Sequence, residues 1–324
     1  MKVLKLSVLI LGVAIAFTSC KKEEALVVDD ISGLGGDTWV KGPIDNWIAT
    51  NYTTPYNIAV KYKWDRYELA LNRVIVPCKE EKVIPVLDAI KSAWVDPYIA
   101  EAGLTFFNKY SPKFIVLSGS ASYDPDNRSK ELGTAEGGRK IVLLDINNFR
   151  NKNMAGYDPA VDTPNVKELF KTIYHEFGHI LHQNILYPPD FKTITPADYT
   201  SDWNNKYDPE NYGNYLAMDK GFISYYAPNN TDDDFVEMIT FMLAEGKDGF
   251  DDIINNIYKI YYDEVDEAWY YEEDANGDLI LNVDAQTKLR KKEAIVVNYF
   301  KQAWGIDFYS LQQRTRGAIN NLLY

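Results

Sequence analysis

The chain has 324 residues, 46% of them hydrophobic and 14% aromatic, so it builds one large globular domain or two modest ones rather than a disordered tail. A formal net charge of -13 argues against phosphate-backbone binding as the main activity, and two cysteines cannot form a disulfide framework. All three histidines fall between positions 175 and 182, which excludes any mechanism needing a histidine elsewhere.

The chain opens with a basic start (Lys2, Lys5), an apolar run from Val8 to Phe17 that is short for a membrane span, and small residues before a cysteine. Phe17-Thr18-Ser19-Cys20 resembles the bacterial lipobox, whose cysteine is acylated and becomes the mature N-terminus. Cleavage there removes two lysines and no acids, moving the charge from -13 to -15. Lys21-Lys22-Glu23-Glu24 is similar to the export signal that exposes Bacteroidetes lipoproteins on the outer surface, and it also reads simply as a solvated tether. Residues 25–36, ending Gly33-Leu34-Gly35-Gly36, read as flexible linker. Cys78 is then a lone cysteine, read as a small buried hydrophobe.

Further along, Leu71 to Val76 is a short strand candidate ended by Pro77, and Val83 to Ala102 has helical apolar spacing. Lys113–Leu117 and Lys140–Ile146 are β-rich runs. A long helix follows from about Pro164, with Thr163 as its cap and an apolar stripe through Leu169, Phe170, Ile173, Phe177, Ile180 and Leu181. Residues 184–230 form a long irregular segment rich in Pro, Tyr, Asn and Asp, of the kind that is usually functional or mobile. A helix over 232–245 takes Thr231 as cap and Gly246 as stop. Further helices are expected over 251–262, 285–303 and 308–322, with a hairpin turn at Asn276-Gly277.

The chemistry lies in residues 175–179, His-Glu-Phe-Gly-His. Positions i and i+4 share a helix face, so both imidazoles reach one metal ion, and Glu176, rotated about 100°, is left to hold a water. Neutral imidazole suits zinc, and three protein ligands plus water make a catalytic zinc site. Gly178 costs roughly 1 kcal/mol in a helix, which suggests a close approach to something. His182 lies about 10.5 Å along the axis from His175, so it is read as lining the cleft or standing behind a ligand rather than as the third ligand. Glu237, a carboxylate in the middle of an apolar helix, is the preferred third ligand, with a buried salt bridge as the plain alternative. Asp232, Asp233 and Asp234 are read as first-turn acids favoured by the helix dipole, and Glu245 as sitting at a frayed end. With no histidine left to stabilise an oxyanion, tyrosine is the expected substitute, Tyr226 first and Tyr225 next. Trp203 and Tyr207 are candidate cleft walls.

These residues resemble the zincin superfamily of metallopeptidases on its gluzincin side. More narrowly, the chain looks like the zinc metallohydrolase lipoproteins encoded beside outer-membrane nutrient importers in Bacteroidetes. The shared features are the leader ending at Cys20, His-Glu-x-x-His-x-x-His at 175–182, Tyr226-Ala227, and Asp234-Phe235-Val236-Glu237. The Gly-x-Met-Glu-Asn signature of M1-type aminopeptidases is missing, which weighs against an exopeptidase. The resemblance implies an α+β zincin-like fold, with a small mixed sheet packed on the active-site helix and a mainly helical C-terminal half. It places the leader at 1–19, the tether at 20–36 and the metallohydrolase domain at 37–324, divided near residue 183. It implies one zinc ion and a peptide or protein substrate lying along an edge strand formed by residues 137–145. It also implies a lipid on Cys20 in the outer membrane, exposed at the cell surface, and association with an importer. The rival readings are a non-catalytic lipoprotein that binds peptides or glycans around a structural zinc, and a hydrolase of non-peptide amides.

Overall fold

The computed structural model describes residues 39–324 except 66–67, 70–73, 124–129, 132, 137–138 and 210–211. The leader, Cys20 and the whole of the tether therefore lie outside the described residues, as does the first part of the expected strand 71–76. Val74–Val76 carries no strand, and Pro77 makes an isolated bridge with Ser118.

Helix α1 (Pro43–Ile48) starts on a proline, whose missing N–H costs nothing at a first turn. After it come β1 (Ala59–Lys61) and a near-continuous helical stretch made of α2 (Glu80–Ile90), a π-helical turn (Lys91–Val95) and α3 (Asp96–Tyr110). The expected helix over 83–102 is thus present; it starts earlier, at Glu80, and is broken at Gly103 (φ +83, ψ 162), just past the expected end. Strands β2 (Phe114–Leu117), β3 (Ser122–Tyr123), β4 (Lys130–Glu131), β5 (Gly133–Glu136) and β6 (Lys140–Leu143) precede the long helix α4 (Pro159–Asn184). Then come α5 (Gly213–Lys220), α6 (Thr231–Asn255), the hairpin β7 (Ile260–Asp263) and β8 (Ala268–Tyr271), α7 (Val283–Tyr299) and α8 (Phe308–Leu323). No helix among the described residues is long and apolar enough to cross a membrane.

The main sheet has the order β1-β2-β6-β5. Its first three strands are parallel and β5 runs antiparallel, with Gly133 opposite Leu143 and Glu136 opposite Lys140. Ile115, Val116, Leu117, Ile141, Val142 and Leu143 are all buried, which is why β2 and β6 read as unbroken apolar runs. The edge-strand expectation is corrected here. Residues 140–143 sit inside the sheet, between β2 and β5, and the strand at the edge is β5. That edge lies against α4, since a Cβ on Gly133 would fall 2.1 Å from Thr172 Cγ2.

Three helix boundaries also move. Helix α4 begins at Pro159 with Asp158 as cap, its side chain accepting from Ala160 N, so Thr163 and Pro164 lie inside the helix. Buried Asp162 fixes this extra turn, accepting from Asp158 N at 2.8 Å and from Arg150 Nη1 at 3.1 Å. Helix α6 is capped by Asn230, which accepts from Asp232 N and Asp233 N. Gly246 (φ +71, ψ -179) leaves the helical region and breaks α6 into two runs, as the expected stop required; a Cβ there would meet Arg316 Cγ at 2.6 Å. The expected helix over 251–262 ends early, at Asn255, and strand β7 follows from Ile260. Asn276-Gly277 does form a tight turn, under the bridge between Glu273 and Leu279.

Behind α4, Phe177 meets Trp94 and Tyr98 edge-on, with ring centroids 5.4 and 4.8 Å away. This aromatic cluster anchors one side of α4 and leaves the other to α6.

Candidate metal centre

Helices α4 and α6 run past each other in opposite directions, and their contacts step along both in fours. Lys167 and Lys171 of α4 bind Glu245 of α6 at 2.6 and 3.2 Å, which gives Glu245 a partner in place of the expected frayed end. Next along, His175 meets Glu237, and one turn further His179 meets Asp233. The crossing is tight because Gly178 has no side chain. A Cβ there would lie 3.0 Å from Val236 Cγ1 and 3.1 Å from Val236 Cβ. The close approach suggested by a mid-helix glycine is therefore to the partner helix.

Three donor atoms converge. His175 Nε2 and His179 Nε2 are 3.1 Å apart, and Asp233 Oδ1 is 3.1 Å from His179 Nε2 and 3.7 Å from His175 Nε2. Ligands at about 2.0–2.1 Å from a tetrahedral zinc stand about 3.3 Å from one another, so these separations fit a single ion held by three residues with one position open. The donor set also fits, combining two imidazoles and one carboxylate. Asp233 is held in place by Asn229 and Asn230, whose Nδ2 groups each donate to its Oδ2 at 2.6 Å.

Glu237, the expected third ligand, is not among the three converging atoms. Its Oε1 lies 2.8 Å from His175 Nδ1, the ring nitrogen facing away from the convergence, and its Oε2 accepts from Ser224 Oγ at 2.5 Å. Glu237 thus stands behind His175, and Asp233 supplies the third converging atom. The burial that made Glu237 stand out is satisfied by these two hydrogen bonds. What the sequence reading missed is that Asp233 and Glu237 are i and i+4, so any rotation of α6 that turns one toward α4 turns both.

The three consecutive acids have separate partners. Asp232 Oδ1 accepts from Tyr187 Oη at 2.5 Å, and Asp233 faces the imidazoles. Asp234 Oδ2 pairs with Lys292 Nζ at 2.7 Å and accepts from Tyr199 Oη at 2.7 Å. Lys292 and Asp234 are both fully buried, and Lys292 also donates to Gly221 O at 2.8 Å. One ammonium therefore ties α7 to the start of α6 and to the segment carrying Ser224 and Tyr226.

His182 is buried, and its Nε2 lies 2.9 Å from His179 Nδ1, away from the three converging atoms. Burial lowers its pKa to about 4, and the neighbouring His179 adds to the shift. For Glu176, burial raises the carboxyl pKa against the downward pull of His175 and His179. Burial works upward on Asp233 as well, but the hydrogen bond with His179 and the charge of both imidazoles hold it below its ordinary value. Burial and the nearby Asp233 and Glu237 charges push the Tyr226 hydroxyl upward, so it stays protonated and able to donate.

Of the expected surroundings, Tyr226 is at the site, with its ring centroid 5.7 Å from that of His175. Trp203 packs edge-on against Tyr226 at 4.8 Å and so does wall this side. Tyr207 does not. It is buried in a small cluster with Ala217, Phe222 and Ala227.

A histidine pair and an acid from two crossing helices, beside a sheet whose edge strand lies along the first helix, make an α+β protein with a candidate metal centre. The chain belongs to the family described as "Putative zinc-binding metallo-peptidase", whose model matches residues 37–309. It is similar to a solved structure described as a putative zinc-binding metallo-peptidase from Bacteroides caccae, at 25% identity and a TM-score of 0.61, over 86% of this chain and 92% of that one. No curated protein matches it.

Proposed function

We propose that the protein is a peptidase that uses one zinc ion held by His175, His179 and Asp233, with Glu176 as general base. The observation that carries this reading is the convergence of two Nε2 atoms and one carboxylate oxygen within 3.7 Å, next to the half-buried carboxyl of Glu176 on the same helix. Zinc, when bound, supplies a Lewis acid that polarises the scissile carbonyl and acidifies a water. Glu176, its pKa raised by burial, takes the proton from the attacking water and passes it to the leaving amine. Tyr226, held against Trp203 and next to His175, donates a hydrogen bond to the developing oxyanion. The substrate main chain adds as a further strand along β5.

On the same reading, Cys20 carries the lipid, the anchor is in the outer membrane, the domain faces outward, and cleavage serves an importer of nutrients. The test is Glu176→Gln on the protein purified with its metal. About one zinc per chain should remain while cleavage of a mixed peptide library is lost. A wild-type protein that carries zinc but cleaves nothing in that library in a Glu176-dependent way would instead favour a binding lipoprotein.

A further inference from the structure

His182 is the one histidine left over from the metal centre, and packing does not explain it. It lies in an aromatic pocket, with ring centroids 5.7 Å from Tyr187 and 6.4 Å from Phe235, where an aliphatic side chain would fill the space as well. Its Nδ1 is buried and has no hydrogen-bond partner among the described residues. A buried polar atom without a partner costs about 1–3 kcal/mol, so the ring's other nitrogen has to justify its presence. That nitrogen, Nε2, lies 2.9 Å from His179 Nδ1.

The tautomers follow from proton counting, and this step rests on the zinc reading given above. If His179 Nε2 offers its lone pair to the ion, the ring proton of His179 is on Nδ1. His179 Nδ1–H then donates, so His182 Nε2 accepts, and the proton of His182 must sit on its unpartnered Nδ1. His175 is treated differently, since its Nδ1–H faces the carboxylate of Glu237. One ligand imidazole is backed by an anion and the other by a neutral ring. We propose that His182 is a positioning residue that holds His179 in the Nδ1–H tautomer, with Nε2 aimed at the metal, without itself coordinating it.

With three histidines in the chain, the ring nitrogens of the zinc-loaded wild-type protein give three patterns in a long-range 1H–15N correlation spectrum. The expected result is Nδ1–H for all three, with the His182 Nε2 resonance that of an unprotonated, metal-free acceptor. A protonated or zinc-shifted His182 Nε2 would overturn the proposal while leaving the zinc reading intact. A protein that takes up no zinc at all would overturn both. Chelator competition supplies the second readout. His182→Leu should weaken zinc binding about 10–100-fold, and His182→Gln, whose carbonyl oxygen can accept in place of Nε2, should restore it to within a few-fold. Equal affinity for His182→Leu and wild type, or no rescue by His182→Gln, refutes it. If His182→Leu does not fold, the wild-type spectrum still decides.

Discussion

Replacing Gly178 with alanine tests whether the close crossing of α4 and α6 assembles the metal centre. In an exposed helix the change stabilises by about 1 kcal/mol. Here the new Cβ would sit 3.0 and 3.1 Å from two carbons of Val236, with Ile239 Cδ1 at 3.6 Å. Contacts this close are tighter than ordinary carbon packing, so Val236 and the helix carrying it must give by a few tenths of an ångström. Overpacking of this kind costs about 1–3 kcal/mol, which cancels or exceeds the propensity gain and leaves a net loss of about 0–2 kcal/mol. The larger effect is on the ligands. Val236 lies between Asp233 and Glu237, so moving it carries the Asp233 carboxylate away from His175 and His179. A shift of about 0.5 Å is the whole tolerance of a metal constellation, and zinc affinity should fall by roughly tenfold. Calorimetry with and without zinc, together with chelator competition, measures both quantities. Gly178→Ala/Val236→Ala, which reopens the space, should recover affinity without recovering stability. A Gly178→Ala protein that melts higher than wild type and binds zinc equally well would refute the argument.

Two further substitutions separate roles within the site. Asp233→Ala removes a converging donor and should strip zinc from the protein in a chelator that wild type withstands. Glu237→Gln leaves the donors in place and should weaken zinc only about 10–100-fold; metal analysis that reversed this order would restore Glu237 as the ligand. Tyr226→Phe removes one oxyanion donor, so kcat should fall about 100–1000-fold with KM and zinc content nearly unchanged. A fall in zinc content instead would make Tyr226 a structural support for His175.

How much of this could be read from the sequence depends on how local each feature is. His175, Glu176 and His179 lie within five residues of one helix, and helical geometry alone places the two rings on one face. The same locality made β2 and β6 visible as apolar runs and the mid-helix Gly178 visible as an anomaly. Boundaries failed where distant parts intervened. Arg150 and Asp162 add a turn before Thr163, whereas Gly246 breaks the helix where its own conformational freedom predicted. The order β2-β6-β5 depends on pairing between strands, so periodicity could not say which one is the edge.

The third ligand shows the limit most clearly. Composition identified Glu237 as a buried acid in need of a partner, which it is, but a buried acid next to a ligand imidazole can bond either the metal or the ring's far nitrogen. Asp233 looked ordinary because first-turn acids are favoured by the helix dipole whatever else they do. Residue types and short-range spacing determined that two imidazoles share one face of α4 and that Glu176 stands next to them. The crossing of α6 over α4 decided which carboxylate converges with the two imidazoles, because ångström-scale differences in distance between two helices are fixed by side-chain packing across their interface and not by the pattern along either one.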